Sequence, residues 1–159
     1  MSLINSFNKL FILSLLFIGT ANAASSLKIE NAWSPEAPPV TKVMAGYMKI
    51  HNLGGTDVKI LSAKSSLFEN IEIHLTEMKN GMMRMVKQEN LNIKAKDHIE
   101  LKPGGLHMML IGKLKPIKSD SVIPLTISFD NGETISINLE VKTDRPSKMK
   151  CGSGKCGSM

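Results

Sequence analysis

The sequence predicts an all-β fold, a single β-sandwich or barrel of short strands, and three observations point to it. Apolar and polar residues alternate over runs of about four to eight residues, the period of a half-buried strand. Turn residues separate these runs at short intervals: Asn52-Leu53-Gly54-Gly55, Asn80-Gly81, Pro103-Gly104-Gly105 and Asp130-Asn131-Gly132. No stretch sustains a 3.6-residue period long enough to be read as a helix.

In chain order, residues 1–23 read as a cleaved signal peptide. Met1 to Lys9 is short and mildly basic, Leu10 to Ile18 is apolar, and Ala21-Asn22-Ala23 is a small-x-small cleavage site. The apolar run is shorter than the roughly 20 residues that span a bilayer. No cysteine follows the cleavage point. Neither a retained membrane anchor nor a lipidated amino terminus is therefore expected, and the product is a periplasmic protein.

Residues 24–142 carry the strand pattern. Leu27 to Glu30 alternates, and Trp33 is expected to anchor the sandwich core. Ser34 to Pro39, with its prolines, reads as a loop. Strands follow at Met44–His51, Val58–Ser62, Ile71–Met78, Met82–Val86, His98–Leu101, Leu106–Ile111, Val122–Phe129 and Glu133–Val141. Asn80-Gly81 is a strong hairpin signal, and a two-residue turn there sets Leu75 opposite Val86 and Thr76 opposite Met85. The last hairpin pairs Ile127 with Ile135 and Leu125 with Ile137. That register needs a three-residue loop, with Gly132 at the position of positive φ. Residues 143–159 lose the alternation and read as a flexible tail holding both cysteines, Cys151 and Cys156.

Charge and composition narrow the function. The net charge is +6, but the basic residues are scattered and aromatics make up only 4% of the chain. A nucleic-acid-binding surface needs a basic face with stacking rings, so none is expected. No nucleophile-base-acid set or carboxylate cluster supports an enzyme.

The chemistry concentrates between His74 and Met109. His74, Met85, His107 and Met109 supply two imidazoles and two thioethers, a set that suits soft copper(I) rather than a hard cation. His107 and Met109 are two apart and share one face of a strand. In the hairpin register His74 and Met85 are diagonal neighbours, roughly 7 Å apart. Met78 and Met83 fall on the same face as supporting or substitute ligands. Met82 and Met108 fall on the other face and read as packing. His51 and His98 lie outside this spacing and read as ordinary surface or strand-end residues. A blue-copper centre requires a cysteine thiolate, and none occurs between residues 24 and 150. The tail pair, Cys151 and Cys156, has two readings: a small disulfide loop, or a second soft-metal site.

The spacing His-x10-Met-x21-His-x-Met and the run Glu100-Leu-Lys-Pro-Gly-Gly-Leu-His-Met-Met-Leu-Ile-Gly112 resemble the periplasmic copper(A) chaperone family, the PCu(A)C or DUF461 proteins. The likeness is close from His74 through Leu125 and weaker back to Ala32-Trp33. It implies a cupredoxin-like sandwich that binds copper(I) and delivers it to the copper(A) centre of cytochrome c oxidase subunit II, or to another copper chaperone. The alternative is a periplasmic copper buffer or resistance protein with no fixed recipient.

Overall fold

A computed structural model describes residues 25–143, and within them the alternation becomes ten strands and no helix. The expected signal peptide and the Cys151/Cys156 pair lie outside the described residues. The strands are β1 (Leu27–Pro35), β2 (Val43–Asn52), β3 (Val58–Lys64), β4 (Phe68–Lys79), β5 (Met82–Lys87), β6 (Asn92–Ile93), β7 (His98–Leu101), β8 (Leu106–Lys113), β9 (Val122–Phe129) and β10 (Thr134–Lys142). They form one sheet in the order β5-β4-β8-β2-β1-β10-β9-β3-β6, with β7 pairing on β2. Neighbours are antiparallel except β1 and β10. The sheet wraps until β3 lies against β4, and its inner faces enclose one core.

Both hairpins have the expected registers. Across the first, Leu75 faces Val86 and Thr76 faces Met85. Asn80 and Gly81 both have positive φ, 53° and 75°, the pairing that a two-residue turn between right-twisted strands requires. Across the second, Ile127 faces Ile135 and Leu125 faces Ile137, and Gly132 takes a φ of 83°. The core comes from the inward-facing residues, with Ile50, Met108, Leu110, Ile123, Ile127 and Leu139 all fully buried.

Three expectations need correction. Trp33 is not a core anchor: it is only half-buried and packs on Tyr47, ring centroids 4.9 Å apart. The cause is a one-residue register shift between Glu30 and Trp33, next to Asn31 at a φ of 52°. Leu27 points inward, so strict alternation would bring Trp33 in as well. The bulge flips it outward and buries Ser34 instead. Ser34 and Pro35 therefore belong to β1, paired with Val141 and Lys142, and the loop begins after them. Met82 does not pack either. It is 66% exposed, because the end of the β4–β5 hairpin overhangs the core and every residue of β5 is exposed.

The two-residue β6 gave no periodic signal. It is held partly by Asn52, a fully buried side chain whose amide donates to Thr56 O at 2.7 Å and Ile93 O at 3.1 Å. The Asn52 carbonyl oxygen accepts from Gly54 N at 3.0 Å. Replacing Asn52 with Ala strands all three backbone partners. An Asn52→Ala variant is expected to lose about 1–3 kcal/mol of stability, read by chemical denaturation.

Candidate metal centre

The outer face of β4, β5, β8 and β2 carries the four residues picked out by the spacing. β8 fixes the middle of this face, because it pairs with β4 on one side and with the first half of β2 on the other. His107 lies directly across from His74, their ring centroids 6.2 Å apart and their planes tilted by 39°. Met109 lies between Glu72 of β4 and Ala45 of β2. Met85 faces Thr76, two pairs along from His74 and so on the same side of the ribbon. An open depression of about 360 Å³ is lined by Met85, His107 and Met109, together with Met83, Thr76 and Tyr47. His74 does not line it, but stands beside His107 at its edge.

Each imidazole keeps one nitrogen free to accept an ion. His107 Nδ1 is 2.9 Å from the carbonyl oxygen of Gly105. A carbonyl only accepts, so Nδ1 carries a proton, and in the neutral ring Nε2 holds the lone pair. The same oxygen accepts from Thr76 N at 3.1 Å, which fixes the Pro103-Gly104-Gly105 turn against β4. His74 Nε2 is 2.9 Å from Glu72 Oε2, and Lys87 Nζ is 2.9 Å from Glu72 Oε1. The hydrogen bonds from Lys87, first, and His74 hold the Glu72 carboxyl at about 2, down from 4.5. Glu72 is thus ionised at neutral pH and can only accept, so His74 carries its proton on Nε2. In the neutral ring the lone pair is then on His74 Nδ1, which is buried and without a hydrogen-bond partner. An orphaned ring nitrogen on a histidine oriented by a carboxylate is the arrangement of a metal ligand and its supporting partner.

Sulfur must complete such a site. Among the described residues no three of His, Cys, Asp and Glu are arranged to hold a metal. The donors left around the depression are the thioethers of Met85 and Met109, with Met83 near them. Parity separates the neighbouring methionines of β8: Met108 is fully buried in the core, whereas Met109 opens into the depression. Met78 faces Met83 across the hairpin, on the same side as the site.

Glu72 is an unseen partner in the sequence, since nothing at that position announces a carboxylate bridging His74 and Lys87. Its lowered value also sets a pH dependence. The ionised form contributes stability that is full above pH 4.5 and is lost as the pH falls through about 2. A Glu72→Gln variant is expected to be less stable than the parent near neutral pH, with the gap closing across that acid window. Denaturant midpoints measured at several pH values check this.

Comparison with known proteins agrees with the architecture. A family model described as LpqE-like ("Putative lipoprotein LpqE-like") matches residues 27–141. The protein "Putative lipoprotein Lxx21020" of Leifsonia xyli subsp. xyli is 28% identical over 120 residues, covering 75% of this chain and 71% of that one. The solution structure of CuI-DR1885 from Deinococcus radiodurans superposes with a TM-score of 0.60 at 25% identity, over 80% of this chain and 85% of the other. A copper-bound PCuAC domain from PmoF2 shares the fold, with a TM-score of 0.65 at 18% identity over 76% and 96% of the two chains. The fold is cupredoxin-like, and the chain belongs to the LpqE-like family, that of the PCuAC domains.

Proposed function

We propose that this protein is an exported copper chaperone that holds one copper(I) ion through His74, Met85, His107 and Met109. Its recipient is the copper(A) centre of cytochrome c oxidase subunit II. The observation that carries the reading is the buried, orphaned Nδ1 of His74 beside a depression lined by His107 and two thioethers. Two neutral imidazoles and two thioethers suit a soft d¹⁰ ion and disfavour copper(II), so the site works as a holder rather than as an electron carrier.

Release follows from the same donors. A thiolate is softer than a thioether and carries charge, so copper(I) passes from this site to a cysteine pair in a recipient. Access favours the transfer, since Met85 is 61% exposed on the overhanging hairpin and a recipient thiolate can reach the ion from that side. The tail pair, Cys151 and Cys156, is in this reading a second thiolate site outside the described residues, and the four ligands do not depend on it.

Copper(I) titration under anaerobic conditions tests the reading. The Cys151→Ser, Cys156→Ser double variant is expected to bind one equivalent and to load a soluble subunit II domain. Failure to bind any copper would make the tail the primary site. Binding without transfer would favour the buffer reading. In cells, loss of a delivery protein lowers oxidase activity when copper is scarce, whereas loss of a buffer is felt when copper is abundant.

A further inference from the structure

A second histidine pair, on β2 and β7, lies far from the first. The opening residues of β2 pair with β8 beside Met109, but its second half pairs with β7 and sets His51 directly across from His98. From Ala45 to His51 the strand advances roughly 20 Å. The two rings at this end have centroids 5.4 Å apart and planes tilted by 32°, closer than the 6.2 Å of the His74–His107 pair.

Carboxylates flank both rings. Glu30 of β1 places Oε2 3.1 Å from His51 Nε2, while its Oε1 takes Lys28 Nζ at 2.6 Å. Asp97 Oδ1 stands 3.6 Å from His98 Nδ1. The side chains are reachable from solvent, with His51 24% exposed and His98 46% exposed. The backbone beneath them is fixed: Ile50 and Asn52, on either side of His51, are fully buried, and Ile99 packs against the core. Two imidazoles on adjacent rigid strands lose little freedom on closing around one ion, which is the condition for a chelate.

We propose that His51 and His98 form a second metal site that takes a divalent first-row cation, copper(II) ahead of zinc(II). The donors are the two imidazoles, and water completes the shell. No thioether is part of this cluster. Nitrogen and oxygen donors without sulfur prefer copper(II) over copper(I), and the divalent series places copper above zinc. The two ends of β2 therefore select different oxidation states of one metal. This site does not depend on the copper(I) reading, because it shares no ligand with it.

The test is copper(II), supplied as its glycine complex in air, added to the full chain carrying Cys151→Ser and Cys156→Ser. Expected are one bound copper(II) with nitrogen hyperfine structure in its electron paramagnetic resonance spectrum, and paramagnetic broadening centred on the ring protons of His51 and His98. His51→Gln and His98→Gln should each weaken copper(II) binding by about 10- to 100-fold, and leave copper(I) stoichiometry unchanged. Broadening centred on His74 and His107, or copper(II) affinity unchanged in both variants, would overturn the proposal. The broadening is read on unsubstituted histidines, so a poorly folding variant does not decide the matter.

Discussion

Met108→Ala and Met109→Ala, adjacent in sequence, should fail in opposite ways. Met108 is fully buried between β2 and β4, and truncating it leaves a cavity in the core. The expected loss is about 2–5 kcal/mol of stability. Copper(I) affinity per folded molecule should stay unchanged, because the Met108 side chain points away from the depression. Met109→Ala removes a donor from the outer face, at a side chain that is partly rather than fully buried. It should weaken copper(I) by about 10- to 100-fold or more, with a smaller fall in the denaturation midpoint than Met108→Ala gives. Denaturation and competition against a chromophoric copper(I) chelator, run on both variants, separate the two effects. Equal losses of affinity would mean that the strand parity assigned to β8 is wrong.

A second pair removes stability from the comparison. Met82 and Met85 lie on the same exposed strand, 66% and 61% open to solvent, and neither contributes to the core. Truncating either should change stability by no more than about 0.5 kcal/mol. Only Met85 shares the face of His74, so only Met85→Ala should lower copper(I) affinity, again by about 10- to 100-fold. The control matters because Met82 has the same chemistry and exposure and differs only in the direction of its side chain. A matching loss from Met82→Ala would point to a fluid methionine cluster rather than a defined ligand.

The readable parts of this molecule are those that local chemistry decides. Asn80-Gly81 imposes a turn with two positive φ angles, and that turn alone fixes the register that puts Met85 beside His74. Asp130-Asn131-Gly132 does the same for β9 and β10. Alternation then sorts Met108 from Met109 without any knowledge of the partner strands. What escapes a sequence reading is decided at long range. The bulge at Asn31 turns Trp33 out to Tyr47, and an asparagine that tolerates positive φ is its only local sign. Nothing in the pattern of β5 reveals that the hairpin overhangs the core and leaves Met82 uncovered. The split pairing of β2, which brings His107 to one of its ends and His98 to the other, depends on which strands fold against it. Glu72 is invisible for a related reason: its partners are Lys87, fifteen residues away, and His74.

Copper K-edge X-ray absorption tests the proposed ligand set most directly. The sample is the full chain with Cys151→Ser and Cys156→Ser, loaded with one equivalent of copper(I). The expected first shell is two nitrogen and two sulfur scatterers, with the sulfur contribution falling by half in Met109→Ala and the nitrogen contribution in His107→Ala. A shell of sulfur alone, or of nitrogen and oxygen alone, would contradict it.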